Sequence, residues 1–228
     1  MTENIMETQS LVKKYVSGST EILALRNIDF AAKKGEFIAI MGPSGSGKST
    51  FLNVLGGLDA PSFGKVLVEG RDISKYTEEQ VSRLRRETIG SIFQSQDLFP
   101  ALTALENVEF PLLLAGAEPR ARQEAAKNML ERVGLADRME YLPEELSGGQ
   151  RQRVGIARAL IRMPSIVLAD EPTGQLDTAT SREIVDLLAS LVGSSGMTLI
   201  VVTHDSKVAD RADRALFMRD GALSKEAV

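Results

Sequence analysis

The sequence lacks cysteine and tryptophan, and it contains a single histidine, His204. The absence of cysteine excludes disulfide scaffolds, cysteine nucleophiles, thiolate zinc sites and iron–sulfur clusters. Apolar runs stay at strand length and never approach the ~18–20 residues that a membrane-crossing helix needs. An excess of positive charge is also missing, because the formal net charge is −4. We therefore expect no binding to nucleic acid.

The remaining composition is that of an ordinary globular protein, with 228 residues, 43% hydrophobic and 25% charged. This length predicts one or two domains. The first ten residues, MTENIMETQS, contain no charged stretch followed by an apolar one, so no secretory signal is predicted. We expect a cytoplasmic protein that reaches any membrane through a partner.

Short apolar runs predict the strands of a sheet. The clearest are Glu36–Met41, Thr88–Phe93, Ser165–Ala169, Thr198–Val202 and Ala215–Met218. Near-continuous runs such as IVLA and LIVV are typical of a parallel sheet covered on both faces. The first ~35 residues and Lys65–Glu69 alternate and carry turn signals, which predicts an antiparallel layer near the N-terminus.

Longer stretches between these runs predict helices. They are Lys48–Leu55, Glu78–Arg85, Ala104–Leu114, Pro119–Val133, Gly149–Ile161 and Thr178–Leu191. The segment 95–162 contains helices and no clear strand. The predicted fold class is α/β, with a mostly parallel core in residues 1–94 and 163–228, an N-terminal antiparallel β layer and an inserted α-helical subdomain at 95–162.

A glycine-rich loop joins the first core strand to the first helix. Its residues are Gly42, Pro43, Ser44, Gly45, Ser46, Gly47, Lys48, Ser49 and Thr50. The loop matches G-x-x-x-x-G-K-[ST] in the strand–loop–helix context that this motif requires. Backbone N–H groups and the positive helix end then surround a phosphate. Lys48 supplies a charge to the β/γ-phosphates, and Ser49 offers its hydroxyl to Mg²⁺. The context disfavours the alternative, a flexible linker with a chance lysine.

Polar side chains follow three other predicted strands, namely Gln94, the pair Asp170 and Glu171, and His204. Ligands of open α/β sheets bind at the carboxyl ends of the strands, so these side chains are expected around one site. Asp170 is predicted to hold Mg²⁺, Glu171 to polarise water, His204 to bond a γ-phosphate and Gln94 to contact metal or water. Each has a plainer alternative: a solvated acidic pair, a structural histidine or a surface glutamine.

A second helix start carries a capping pattern, with Ser147 as N-cap and Gln150 three residues later. The pattern leaves Gly148 and Gly149 unexplained, although each costs roughly 1 kcal/mol in a helix relative to alanine. Both glycines are expected where an anion approaches the helix end closely. A second copy of the chain, packed head to tail, is one source of that anion.

These motifs, in this order, resemble the nucleotide-binding subunits of ABC transporters. The resemblance covers nearly the whole chain and implies a P-loop NTPase (RecA-like) fold, with ATP and Mg²⁺ as cofactors. It implies that Gln94 lies in the Q-loop, that LSGGQ is the signature that binds ATP across a homodimer, and that Glu171 is the catalytic glutamate. It also implies that Asp177 lies at the dimer interface and that Tyr15 stacks on adenine.

The implied partners are a second copy of the chain and an integral membrane permease subunit, which would hold the protein at the inner face of the cell membrane. Stretches such as SQDLFPALTALENVEFPL and ADEPTGQLD resemble the lipoprotein-release, macrolide-efflux and cell-division group. Gln175 and the pair Ser62-Phe63 depart from that group's pattern. The segment Leu98–Leu102 is either core or the groove for a membrane-subunit helix.

Two other functions remain open at this point. One is a complex that signals across the membrane and moves no solute, as the cell-division resemblance suggests. The other is a soluble ABC ATPase that acts on DNA, although the segment between Gly42 and Leu146 has no heptads of the expected coiled coil. ATPases of the translation type usually carry two cassettes in one chain, and this chain has one.

Overall fold

The computed structural model describes residues 4–18, 20–94 and 97–224, which contain ten strands and seven α-helices. The strands are β1 (Asn4–Ser17), β2 (Thr20–Lys33), β3 (Phe37–Met41), β4 (Phe63–Val68), β5 (Arg71–Asp72), β6 (Ile89–Ile92), β7 (Ile166–Asp170), β8 (Thr198–Thr203), β9 (Arg214–Arg219) and β10 (Ala222–Ser224). The helices are α1 (Lys48–Leu55), α2 (Glu78–Glu87), α3 (Ala104–Leu114), α4 (Pro119–Arg132), α5 (Gly148–Leu160), α6 (Thr178–Ser195) and α7 (Ser206–Ala209).

The larger sheet has the strand order β10-β9-β3-β8-β7-β6. Its pairs are parallel except for the β9–β10 hairpin. Residues alternate between the two faces, as a pleated strand requires. Leu199 and Val201 of β8 belong to one buried cluster, whereas Ile200 and Val202 belong to the other. Both faces are therefore covered, which explains the continuous apolar runs of the central strands.

A smaller antiparallel sheet with the order β2-β1-β4-β5 lies on the α1 side of the larger one. Its long hairpin, β1 and β2, pairs from Asn4↔Lys33 to Ser17↔Thr20 and contains several register shifts. Buried side chains from this layer, from α1 and from the larger sheet form one core cluster, in which Phe30 meets Phe51 edge-on with ring centroids 5.5 Å apart. The predicted antiparallel layer is confirmed.

The helices between β6 and β7 form the second core cluster together with α6. Thr103 caps α3 with Glu106 in a capping box, and Pro119 opens α4. In the described residues of the segment 95–162 we find α3, α4, α5 and no strand. None of the described helices is both long and apolar enough to cross a membrane. The α/β fold class with a helical insert is confirmed, while the exact domain boundaries stay a prediction.

Several element boundaries differ from the sequence-based prediction by a few residues. Helix α6 continues to Ser195 rather than ending at Leu191, because the left-handed residue that ends it is Gly196 with φ 68°. Helix α5 begins at Gly148 instead of Gly149, so both glycines lie in its first turn. Strand β7 includes Asp170 as its last residue. Two predicted site residues, Gly148 and Asp170, thereby move from the position next to an element to the end of that element.

Candidate functional site

A cavity of about 820 Å³ lies at the carboxyl ends of the parallel strands. Residues from the glycine-rich loop and α1 line its floor: Ser44, Gly45, Gly47, Lys48, Ser49 and Thr50. The polar residues from the other strand ends line it as well: Gln94, Asp170, Glu171 and His204. The structure therefore brings together the side chains that the strand-end argument grouped.

The glycine-rich loop needs its glycines for close backbone packing. A Cβ on Gly42 would lie 2.1 Å from the Met218 carbonyl oxygen, and one on Gly47 would lie 2.7 Å from that of Ala24. Gly47 has φ 105° and precedes α1, which has no side-chain cap. The first N–H groups of α1 are thus left for a ligand.

Lys48 is only 7% exposed, and its ammonium group donates hydrogen bonds to the carbonyl oxygens of Gly42 (2.7 Å) and Pro43 (3.0 Å). The Pro43 carbonyl also accepts from the backbone N–H of Ser46, at 3.3 Å. These contacts hold a buried positive charge at the base of the loop. Such a charge, beside open N–H groups, suits a polyphosphate.

The hydroxyl of Ser49 donates a hydrogen bond of 3.1 Å to Oδ1 of Asp170. Burial raises the pKa of Asp170, the negative charge of Glu171 raises it further, and the Ser49 hydrogen bond and Lys48 oppose the shift. The Asp170 carboxylate is therefore electrostatically undercompensated in the protein alone. A cation beside these two oxygens would relieve that penalty.

Glu171 is held in an unusual backbone conformation, with φ 44°. Its backbone N–H donates to the Val202 carbonyl (2.9 Å), and one carboxylate oxygen accepts from the Thr203 hydroxyl (3.2 Å). The other oxygen lies 2.9 Å from Nδ1 of His204. The carboxylate is mostly buried at 14% exposure, whereas the His204 side chain is 68% exposed. Left-handed non-glycine residues of this kind cluster at functional sites.

Gln94 is exposed and follows the edge strand β6. A Cβ on Gly174 would lie 2.8 Å from its Nε2 atom and 3.4 Å from the Glu171 Cβ. Because Gly174 has no side chain, the Gln94 amide can pack against the segment that follows β7. The sequence analysis did not select Gly174, because its partner lies 80 residues away in the chain.

Sequence reasoning also missed the wall of the cavity that β2 and the β9–β10 turn supply. The lining residues from these segments are Ile22, Leu23, Ala24, Arg26, Asp220 and Gly221. Gly221 donates its N–H to the Ser46 carbonyl (2.9 Å), and its own carbonyl accepts from Arg26 (2.8 Å). No motif marks these residues, since only the tertiary contact between two sheets brings them to the loop.

Tyr15 does not line the cavity, although Ile22, its pairing partner on β2, does. Its ring is 39% exposed, and its hydroxyl donates a 2.7 Å hydrogen bond to Asp59. The Thr50 side chain, which lines the cavity, lies beside that hydroxyl. Tyr15 therefore stands at the edge of the cavity, next to α1.

The signature residues lie elsewhere. Ser147 caps α5 in a capping box: its hydroxyl accepts from the Gln150 N–H (3.2 Å), and the Gln150 side chain accepts from the Ser147 N–H (2.9 Å). Ser147, Gly148, Gly149 and Gln150 are absent from the lining of the cavity. Within one chain, the structure does not bring the signature to the phosphate loop.

Asp177 caps α6, accepting hydrogen bonds from the backbone N–H groups of Ala179 (3.0 Å) and Thr180 (3.1 Å) and from the Thr180 hydroxyl. The hydrogen bonds from Thr180 lower the pKa of this carboxyl. A Cβ on Gly149 would lie 2.5 Å from Cγ2 of the same threonine. Gly149 thus has a packing reason within its own chain, while the expected role of both glycines near an anion stays a prediction. A Cβ on Gly148 would lie at ordinary contact distances, 3.4 Å from Leu176 and 3.9 Å from Arg151.

A parallel α/β core with a phosphate loop, strand-end carboxylates and a helical insert that carries LSGGQ defines the ATP-binding cassette class. The chain belongs to this family, since the family described as ABC transporter matches residues 25–174. Sequence relatives extend over nearly the whole chain. It is therefore the ATP-binding and ATP-hydrolysing subunit of an ABC transporter, as the sequence analysis predicted.

One such relative is the lipoprotein-releasing system ATP-binding protein LolD of Legionella pneumophila (strain Paris). It is 48% identical over 98% of both chains. The macrolide export ATP-binding/permease protein MacB of Hyphomonas neptunium is 44% identical over 98% of this chain, which spans 34% of that longer protein.

Among solved structures, the ATP-binding cassette MJ0796 is similar, in a dimeric post-hydrolysis state bound to ADP and Pi. It superposes with a TM-score of 0.89 at 40% identity, covering 98% of this chain and 100% of the other. A second dimeric structure of MJ0796, described as a bacterial ABC transporter cassette, gives the same TM-score, identity and coverage.

Proposed function

We propose that two copies of this chain close over two Mg·ATP molecules and open after hydrolysis, and that a membrane permease converts this motion into work. The observation that carries the proposal is the position of Ser147. Its helix end lies outside the cavity of its own chain, so that a second chain is needed to bring it to a nucleotide. The dimeric state of MJ0796 supports the same arrangement.

Mg²⁺ is proposed to bind between Ser49, Asp170 and the β/γ-phosphates, with Gln94 nearby. The described residues contain no cluster of three histidine or acidic side chains fit for a metal. This suits Mg²⁺, which keeps several waters and takes few protein ligands beside phosphate oxygens. The raised pKa of Asp170 supports the assignment, because a cation offsets the cost of its buried charge.

Glu171 is proposed to polarise the attacking water, and His204 to contact the γ-phosphate. Thr203 and His204 both bond the Glu171 carboxylate, which orients it toward the cavity that it lines. Lys48 and the open N–H groups of α1 offset the charge that develops on the phosphate oxygens. Tyr15 is proposed to stack on the adenine base at the edge of the cavity, and Asp177 to meet the second copy.

The membrane partner is proposed to dock in a groove of about 470 Å³ between β6, α2, α3 and α5. Exposed aromatic and aliphatic side chains line the groove together with arginines: Phe93, Phe99, Leu114, Arg85, Arg86, Arg158 and Arg162. Gln94 directly follows Phe93, so the phosphate site and the groove share a segment. Docking there would hold the protein at the inner face of the cell membrane.

Relatives named for lipoprotein release and macrolide export support a substrate that is extracted from the membrane or exported. The permease, rather than this chain, is proposed to select that substrate.

Mixing two inactive variants tests the shared site. In a heterodimer of a Lys48→Ala chain and a Ser147→Arg chain, one site combines an intact loop with an intact signature, and the other contains both lesions. We expect ATPase activity to appear on mixing, up to roughly a quarter of wild type for random pairing. Each variant alone, at the same total concentration, is the control. Full activity of either variant alone would contradict the shared site.

A further inference from the structure

A cluster of polar residues beside the phosphate loop contains Tyr15 and two residues, Lys13 and Asp59, to which the proposed function gives no role. Lys13, Tyr15 and Asp59 meet there, the first two on β1 and the third just after α1. Lys13 and Tyr15 are two residues apart, so their side chains leave the strand on the same face. The Lys13 side chain is 11% exposed and that of Asp59 is 29% exposed. The cluster therefore connects the antiparallel layer to the helix that carries the phosphate loop.

Asp59 uses its two carboxylate oxygens for two different donors. Oδ1 accepts a hydrogen bond from the Lys13 ammonium group (2.5 Å), and Oδ2 accepts from the Tyr15 hydroxyl (2.7 Å). Lys13 also donates to the Ala60 carbonyl (2.8 Å) and lies 4.9 Å from the centre of the Tyr15 ring. The ring is thus held at its hydroxyl end and contacted on one face by a cation.

The protonation states agree with this arrangement. Although burial opposes the shift, hydrogen bonds from Lys13 and Tyr15 lower the pKa of Asp59. Burial and the hydrogen bond to Asp59 raise the pKa of Tyr15. At neutral pH an ionised carboxylate therefore accepts from a protonated phenol, which is the stronger, charge-assisted form of the bond.

We infer that Asp59 is a positioning residue for the nucleotide base: it fixes the Tyr15 ring in the orientation that stacks on adenine. The inference rests on the proposed stacking role of Tyr15. Tyr15 is 39% exposed, and without a partner its side chain would be free to change rotamer. Fixing one rotamer when the nucleotide binds would cost conformational entropy and weaken binding. The carboxylate removes that cost before the nucleotide arrives. It acts on the base alone, since Asp59 does not line the phosphate cavity.

The test compares a ligand that has a base with one that has none. ADP affinity is measured by titration calorimetry, and inorganic tripolyphosphate affinity is measured as competitive inhibition of ATP hydrolysis. Both use the full chain. The variants are Asp59→Ala, Tyr15→Phe, which keeps the ring but loses the hydroxyl, and Tyr15→Ala. Asp29→Ala is the matched control, because in the same hairpin it removes one carboxylate, which accepts a hydrogen bond from the Ser10 N–H.

Complete loss of a base–aromatic stack corresponds to roughly 5- to 150-fold in affinity. We expect Tyr15→Ala to fall in that range for ADP, and Asp59→Ala and Tyr15→Phe to weaken ADP about three- to ten-fold. Tripolyphosphate affinity stays within about two-fold of wild type, because tripolyphosphate has no base to stack. Asp59→Asn, whose amide oxygen still accepts from Tyr15, recovers part of the loss. Asp29→Ala changes neither affinity.

Other results would overturn the inference. An equal loss of ADP and tripolyphosphate affinity in Tyr15→Phe, which stays folded without burying an unpaired charge, would place the effect on the phosphate loop. Normal ADP affinity in both Asp59→Ala and Tyr15→Phe, with a loss in Tyr15→Ala, would leave stacking intact and remove the role of Asp59. Normal ADP affinity in Tyr15→Ala would contradict both the stacking role of Tyr15 and the positioning role of Asp59. The ATPase assignment is tested separately, by the ATPase activity of Lys48→Ala.

Discussion

The N-termini of α1 and α5 both expose backbone N–H groups, but only α5 has a side chain that caps them. Helix α1 follows Gly47, has no side-chain cap and opens into the cavity. Helix α5 follows Ser147, whose hydroxyl already accepts from the Gln150 N–H, and it lies outside that cavity. The first leaves its N–H groups for a ligand, and the second satisfies one of them itself.

Helix α1 begins a site that has its own candidate catalytic side chains, which we call the complete site, whereas α5 supplies only part of a site. At α1, a single chain supplies a buried lysine and two strand-end carboxylates as candidate catalytic groups. At α5, the described residues supply a helix end and no catalytic side chain. We propose that an anion at α5 is the phosphate of a nucleotide bound at the α1 site of a second copy, which would supply the catalytic groups.

The largest expected effect concerns the complete site. Glu171→Gln keeps the size of the side chain but loses the carboxylate that we propose polarises water, so ATP hydrolysis should fall by about 10²-fold or more. ATP binding should persist, because Lys48 and α1 are unchanged. Phosphate release measures the rate, and size-exclusion chromatography with Mg·ATP measures the trapped dimer. Normal ATP turnover in Glu171→Gln would contradict the role of Glu171 in polarising water. The matched control Glu183→Gln should change neither the rate of phosphate release nor the dimer content.

The next effect tests whether Gly149 is glycine because Thr180 packs against it. Alanine there would place a methyl group 2.5 Å from Cγ2 of Thr180, so Gly149→Ala should lower the free energy of unfolding by about 1–3 kcal/mol. Thr180→Ser removes that Cγ2 atom and keeps the hydroxyl that bonds Asp177. The double variant should recover most of the stability in urea denaturation. If it recovers none, the α5–α6 contact is not the reason for this glycine.

A smaller effect is expected for Gly148→Ala at the start of α5, which should change stability and ATPase activity in opposite directions. Gly148→Ala meets Leu176 only at ordinary contact distance, so the helix should gain up to about 1 kcal/mol from the better propensity of alanine. If a phosphate of the second copy approaches this turn, ATPase activity should nevertheless fall, by about ten-fold. Thermal unfolding and steady-state ATPase assays measure the two effects. Unchanged activity would mean that nothing approaches Gly148 closely.

The smallest effect concerns the pH dependence of Asp170. Its pKa is raised by burial, so its contribution to stability is fully present below the ordinary carboxyl value near 3.8 and is lost as pH rises through the folded value. Asp170→Asn should therefore raise Tm at pH 7 by about 1–3 °C without nucleotide, with a smaller difference at pH 4. A lower Tm at pH 7 would contradict this sign. The same variant should lose Mg²⁺-dependent hydrolysis.

The sequence grouped Lys48, Asp170 and His204, which line one cavity, because a local pattern marks each of them. The loop before Lys48 follows an apolar strand, Asp170 ends one and His204 follows one, and the carboxyl ends of parallel strands meet at one edge. Contacts between distant segments were not predictable in this way. The pairs Gly149–Thr180 and Gly174–Gln94 join residues that no spacing rule relates.

By itself, the order of residues determined the α/β pattern, the phosphate loop and the capping box of α5, because strand period, glycine content and capping chemistry act over a few residues. The tertiary structure decided that β2 and the β9–β10 turn line one side of the cavity, that Tyr15 bonds Asp59, and that the signature lies outside the cavity of its own chain. These depend on how two sheets and a helical insert pack, and packing is set by the shapes of many side chains together.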